Sequence, residues 1–169
     1  MKTVLLHTCC GPCGFSATKF LSDRFDIKYY WYNPNIQPFQ EYEKRLNVAR
    51  QLFSLVIDDY AEKEWLSAVK DIADNKNERC IRCYRVRLTK TAKRAKELKT
   101  DFFTTTLLIS PYQHHDVIKE MAEEIASTVG LGFYYYDGRP DFYKNYNEFK
   151  KTGFYTQKYC GCLFGKNEK

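Results

Sequence analysis

Lys2-Thr3-Val4-Leu5-Leu6-His7-Thr8-Cys9-Cys10-Gly11-Pro12-Cys13 changes character partway along. Thr3 to His7 is a short apolar run of strand type, and Gly11-Pro12 is a turn signal. A helical stretch then continues to about Leu21. A strand that feeds a helix through a polar turn is the opening of a strand-helix-strand unit. If the alternation recurs, it predicts a parallel sheet.

It does recur. Ile27 to Tyr32 is β-branched and aromatic and stops at Asn33-Pro34-Asn35, after which Tyr42, Leu46, Ala49, Leu52 and Phe53 follow at helical spacing. Leu55 to Ile57 reads as a third strand ending at Asp58-Asp59, and a helix through Trp65, Val69 and Ile72 comes next. Tyr84, Leu88, Ala92, Ala95 and Leu98 mark the buried stripe of a basic helix. Phe102 to Ile109 is the strongest strand signal, closed by Ser110-Pro111-Tyr112. Val117, Ile118, Met121, Ala122, Ile125 and Val129 form another amphipathic helix, with Gly130 and Gly132 as stops. Phe133 to Tyr136 reads as a fifth strand, cut off by Asp137-Gly138-Arg139-Pro140. The pattern predicts a single α/β domain over residues 1–169, a mostly parallel sheet with helices on both faces. Such sheets bind ligands outside the carboxyl ends of their strands, where Thr8-Cys9-Cys10, Asn33-Pro34-Asn35, Asp58-Asp59, Ser110-Pro111-Tyr112 and Asp137 all fall. A less regular tail carrying Cys160 and Cys162 is expected to fold over the same edge.

Composition narrows the class. The 169 residues suit one domain, and 44% hydrophobic content can fill one core. No stretch approaches the ~18 apolar residues of a membrane span, and the apolar run before His7 is too short for a secretory signal. A cytoplasmic protein with reduced thiols is the expectation. Nine Lys or Arg lie between Arg79 and Lys99 against the single acid Glu97, so this segment exceeds the whole chain's net charge of +6. A solvated helix face is one reading of such a run, and a docking surface for a polyanion is the other. Arg82, Arg85 and Arg87 are the candidate contacts, because they adjoin Cys80 and Cys83.

The seven cysteines fall into three tight groups: Cys9-Cys10-Gly11-Pro12-Cys13, Cys80-Ile81-Arg82-Cys83 and Cys160-Gly161-Cys162. Grouped, odd-numbered cysteines in a chain of this length argue against a disulfide scaffold and for a metal or redox centre built from distant segments. Cys10-x-x-Cys13 has the spacing of a thioredoxin-type dithiol, but Cys9 and the other clustered cysteines sit poorly with that reading. Cys-x-x-Cys pairs also make tetrahedral zinc sites, in which case the chain would be a zinc-stabilised RNA-binding module without catalysis. Adjacent Cys9 and Cys10 suit an iron-sulfur cluster better, since neighbouring thiolates can reach different irons.

Several further motifs accompany the cysteines: Tyr32-Asn33-Pro34-Asn35-Ile36, Glu41-Tyr42 with Arg45, Cys83-Tyr84-x-x-Arg87-Leu88, Ser110-Pro111-Tyr112 and Tyr159-Cys160-Gly161-Cys162. Together and in order they resemble the epoxyqueuosine reductase family of the QueH type over nearly the whole chain. The resemblance implies a HUP/PP-loop-like sheet in which Cys9 to Cys13 take the place of a phosphate-binding loop. It also implies a 4Fe-4S oxidoreductase that removes the epoxide oxygen of epoxyqueuosine at the tRNA wobble position, with tRNA and an unidentified electron donor as partners and no membrane. On that basis Cys9, Cys10, Cys80 and Cys83 are assigned to the cluster and Cys160 and Cys162 to a redox-active pair. Cys13 with Asp137 is assigned to an additional mononuclear iron. Other partitions stay open, with Cys13 replacing Cys9 or a tail cysteine serving as ligand. His7 is a candidate proton donor, though a structural role is the commoner one for such a residue. His114 and His115 are expected to be exposed at a helix start. Tyr112 and Asp58 or Asp59 are positional candidates for ribose or base contacts.

Overall fold

In the computed structural model, which describes residues 1–168, the alternation closes into one sheet. Its parallel strands are β1 (Lys2–His7), β2 (Phe25–Trp31), β3 (Leu55–Ile57), β4 (Phe102–Thr105) and β5 (Gly132–Phe133), in the order β3-β2-β1-β4-β5. β1 is central, pairing Leu5 with Lys28 on one side and with Phe103 on the other. Val4, Leu5, Leu6 and His7 are fully buried. A strand covered on both faces reads as a continuous apolar run, as this one does.

The chain steps outward from β1 to β3, then returns to β4 on the other side of β1. Right-handed crossovers therefore place α1 (Gly11–Leu21) and α2 (Phe39–Leu52) on one face. They place α3 (Glu62–Val69), α4 (Lys76–Glu97) and α5 (His115–Val129) on the opposite face. α4 packs on α3 and α5, while α1 packs on α2 and on α6 (Phe142–Lys150). A short α7 (Leu163–Asn167) follows the last cysteine. No helix among the described residues is long and apolar enough to cross a membrane.

Two strands differ from expectation. β4 stops at Thr105, and Thr106–Leu108 form a tight 3₁₀ turn in which the Thr105 hydroxyl oxygen accepts the Leu107 N–H. The turn is as apolar as a strand because it is buried, so hydropathy cannot mark where extension ends. β5 is only Gly132–Phe133, earlier than the Phe133–Tyr136 run. Gly132 belongs to that strand, paired with Phe102, and not to a helix stop, and a Cβ there would lie 2.6 Å from the Phe102 ring. Gly130 does cap α5, in the left-handed conformation at φ 76°.

Candidate metal and redox centre

The strand order reverses between β1 and β4, and the crevice beyond their carboxyl ends is where doubly wound sheets bind ligands. Cys9 leaves β1 at that point. Its N–H donates to Thr106 Oγ1 and its sulfur accepts from the same hydroxyl, both at 3.1 Å. Cys10 is the extended N-cap of α1, with Pro12 and Cys13 in the first turn. A Cβ on Gly11 would lie 2.8 Å from Val48 Cγ1 and 3.1 Å from the Phe149 ring, so only glycine lets this turn seat between α2 and α6. The Cys9, Cys10 and Cys13 sulfurs lie within 4.8 Å of one another, with Cys10 and Cys13 buried.

The three thiols are electrostatically unequal. Cys9 is held well below the ordinary thiol pKa by hydrogen bonds from Cys10 and Cys13, with Arg87 and Thr106 adding to the effect. Burial pushes Cys10 up, and the bonds Cys13 makes to Cys10 and Cys9 push it up in turn. Of the three thiols Cys9 is the one whose surroundings favour the thiolate, just ahead of the α1 N-terminus.

His7 lies beneath this turn. Its Nε2 is 3.1 Å from the Tyr32 carbonyl and its Nδ1 2.9 Å from Thr105 Oγ1. The carbonyl can only accept, so Nε2 carries the proton and the Thr105 hydroxyl donates to Nδ1. Burial, reinforced by Arg87, lowers its pKa to about 3. His7 is thus a neutral pin joining β1, β2 and β4.

α4 supplies the second cysteine group. Cys83 is buried in one cluster with Trp65, Val69 and Cys162, and the half-buried Cys80 is raised by burial and by the nearness of Cys83 and Cys160. Arg87 lies one turn further on, and it corrects the expectation of a surface contact: it is only 5% exposed. Its Nη1 donates to Cys83 Sγ at 3.7 Å and its Nη2 to Asn33 Oδ1 at 3.4 Å, while its buried Nε has no partner among the described residues. Burial opposes its charge, but Cys83 and Cys9 outweigh that and raise its pKa. The reason is angular, because position 87 falls on the same helical face as Cys83, Tyr84, Leu88 and Thr91. Arg82 and Arg85 are exposed, paired with Asp71 at 2.8 Å and Glu124 at 3.6 Å.

The third group arrives on the tail. Gly161 bends it at φ 131°, and its carbonyl accepts the Gln37 N–H at 2.8 Å. Buried Arg45 donates to the carbonyls of Tyr159 at 2.8 Å and Cys160 at 3.2 Å. Its Nε is bonded to Glu41 at 2.9 Å, and the Tyr155 hydroxyl contacts both Glu41 oxygens at 2.7 Å. Burial opposes the Glu41 charge, but Tyr155 and Arg45 together keep its pKa low. The role of this clamp was not read from the sequence, although Glu41 and Arg45 stand at the i, i+4 spacing of a helical ion pair.

Cys160 and Cys162 are free thiols with sulfurs 4.0 Å apart. Cys160 is exposed, and the hydrogen bond from Cys162 lowers its pKa to about 6. Cys162 is buried, accepts the Gly165 N–H at 3.2 Å as the cap of α7, and is raised by Cys160 and by burial.

A cavity of about 530 Å³ is lined by Cys9, Cys10 and Cys13 of the first group and by Tyr159 and Cys160 of the tail; Cys80, Cys83 and Cys162 are not among its lining residues. Tyr112, 72% exposed, stands at its rim. Asp137 keeps company with Arg139, which spans both carboxylate oxygens at 2.9 and 2.8 Å and lowers its pKa to about 2. Cys13 is grouped instead with Cys9 and Cys10. His115 corrects another expectation, being 4% exposed, with Nε2 bonded to the Tyr135 hydroxyl at 2.9 Å. It shares the buried face of α5 with Ile118, Ala122 and Ile125, spacing that its polarity disguised. His114 is half-buried beside the Tyr84 ring. Asp58 is engaged by Tyr30 at 2.6 Å and Arg94 at 3.7 Å, while Asp59 is exposed.

Compared with known proteins, residues 4–168 match the sequence model of the family described as Epoxyqueuosine reductase QueH. Relatives of that name include one from Dehalococcoides mccartyi, 34% identical over 98% of this chain and 93% of the relative. One from Thermotoga maritima is 34% identical over 100% of this chain and 93% of its own. One from Streptococcus pyogenes is 29% identical over 96% and 69% respectively.

Proposed function

The chain belongs to the epoxyqueuosine reductase QueH family, and from that premise we propose that it converts epoxyqueuosine to queuosine at the wobble position of tRNA, in the cytoplasm, by a metal- and thiol-dependent reduction. The observation that carries this reading is that Cys9, Cys10 and Cys13 share one cavity at the sheet's switch point with Cys160 of the tail, while Cys83 packs in one buried cluster with Cys162, the tail's other cysteine.

The donor set suits a thiolate-bound iron-sulfur cluster. Cys9 favours its thiolate, the Cys10 sulfur lies within 4.8 Å of it, and the guanidinium of Arg87 donates to Cys83 with its Nε lacking a partner among the described residues. We assign the cluster to Cys9, Cys10, Cys80 and Cys83. When bound, it supplies electrons one at a time to the substrate. The chain's own part is to provide the reducing equivalents and exclude water. Cys160 and Cys162 close a disulfide and release two electrons and two protons. The epoxide carbons take up the electrons, both C–O bonds break, a C=C bond forms, and the oxygen leaves as water with those protons. An external reductant then reopens the disulfide, and the exposure of Cys160 gives it access. Cys13 and Asp137 are the residues we assign to a second iron, which would supply a Lewis acid for the epoxide oxygen; Asp137, now paired with Arg139, would have to give up that pair to ligate it.

The test is protein purified without oxygen, assayed for iron, zinc and sulfide and for conversion of tRNA bearing epoxyqueuosine. About four sulfides with at least as many irons are expected. Cys160→Ser should keep that content and lose multiple turnovers, whereas loss of the cluster would overturn the partition. Zinc without sulfide would withdraw the cluster and leave a zinc-stabilised RNA-binding module. Full activity and iron in both Cys13→Ala and Asp137→Asn would remove the second iron.

A further inference from the structure

The aromatic side chains Tyr112, Phe142 and Tyr143 that line the cavity have no part in holding thiols. Tyr112, on the loop after β4, and Tyr143, on α6, are 72% and 58% exposed. Their hydroxyls nevertheless meet at 2.5 Å, so two surface rings from separate elements are tied together. Phe142 backs both, edge-on to Tyr112 at 5.9 Å and to Tyr143 at 5.0 Å between ring centres. The core does not need these rings, yet they are held in place beside the cysteine cavity.

Charge points the same way. The charged side chains lining this cavity are Arg45, Lys150 and Lys158, all cations. Arg45 is committed to Glu41 and the tail carbonyls, whereas Lys158 is exposed and the exposed Lys150 rests only over the Tyr146 ring at 5.1 Å, so both can reach a ligand. A cavity of about 530 Å³ is the size that encloses a small organic ligand. Bases presented from single-stranded loops are received on aromatic faces with cations on the flanking phosphates, which would hold a reacting group carried on such a base inside the cavity.

We propose that Tyr112 and Tyr143, buttressed by Phe142, are the stacking platform that receives the wobble base of a tRNA anticodon loop, while Lys150 and Lys158 take its flanking phosphates. This identifies how the substrate is gripped and rests on the reductase reading above. The hydroxyl contact orders the rings before binding, so less side-chain freedom is lost when the base arrives.

The test is a binding cycle on protein purified without oxygen. Two labelled anticodon stem-loop RNAs are titrated, one with guanosine at the wobble position and one abasic there. Wild-type protein should prefer the guanosine RNA by about 5-fold to 150-fold, the range one base-aromatic stack supplies. Tyr143→Ala and Tyr112→Ala should erase most of that preference while binding the abasic RNA as wild type does. Tyr143→Phe, which keeps the ring, should stay within about 3-fold of wild type. Lys150→Gln and Lys158→Gln should weaken both RNAs equally and each lower the salt slope by about 1. An unchanged guanosine-to-abasic ratio in both alanine variants overturns the platform, as does the lack of any preference in wild type. Conversion of epoxyqueuosine tRNA by wild type is scored separately, so either result leaves the reductase reading to stand or fall by itself. Both tyrosines are exposed, and a thermal melt of each variant matching wild type excludes misfolding as the cause.

Discussion

Cys9 to Cys13 and Cys160 to Cys162 meet at the same centre by opposite means. The first group sits between a strand and a helix, and the helix is seated by a glycine with no room for a side chain. The second lies on a segment without regular structure before α7, tethered mainly through Arg45 and Gln37. Cys10 and Cys13 are buried, whereas Cys160 is exposed and its partner Cys162 is not. A metal centre needs sulfurs that stay put. A dithiol that is oxidised and renewed in each cycle must be reached from outside and must let its sulfurs approach from 4.0 Å. Under the proposed assignment, the backbone would supply the first requirement and the side-chain tethers the second.

Arg45→Met probes the contrast most strongly. It removes the donors to two tail carbonyls and leaves buried Glu41 with Tyr155 alone. Hydrogen bonds to a charged group contribute about 1.5–3 kcal/mol, so amide exchange across residues 155–165 should accelerate by about 10-fold to 150-fold. Exchange in residues 9–17 should hold. Equal acceleration in both regions would mean that they open as one unit and would dissolve the distinction.

Gly11→Ala tests the other side. Its Cβ would press on Val48 and Phe149, and overpacking of this kind costs about 1–3 kcal/mol of global stability. A urea midpoint that falls without a change in slope is the expected result. An unchanged midpoint would show the turn to be less tightly seated than the tail.

The smallest effect is a shift in a titration. In metal-free protein, the alkylation rate of Cys160 should rise with pH through about 6 and level off above it, because its thiolate forms below the ordinary thiol range. Cys10, Cys13 and Cys162 are raised and should react more slowly than Cys160 across the same pH range. Peptide-resolved mass spectrometry across the pH range checks this, and a Cys160 rise near 8.5 would remove the asymmetry between the tail thiols.

Legibility followed locality. β1, the turn at Cys9 to Cys13 and β3 lie where hydropathy and turn residues placed them, since each is decided within a few neighbouring residues. Thr106–Leu108 misled because a buried turn has a strand's composition. Arg87 and His115 misled for a different reason: each is polar yet falls on the apolar face of its helix, where counting position would have placed it inward and counting charge placed it outward. Arg45 offered only an i, i+4 pairing, and its partners on the tail lie more than a hundred residues away.

By itself the sequence determined an α/β chain with a parallel sheet, three cysteine groups and a basic helix, all properties of spacing along one segment. Tertiary structure decided which thiols share a wall, which arginine faces them and which cations are left for a ligand. Those outcomes depend on long-range contacts such as the clamp from Arg45 to Cys160, whose energy arises only after the sheet has brought distant segments within hydrogen-bonding reach.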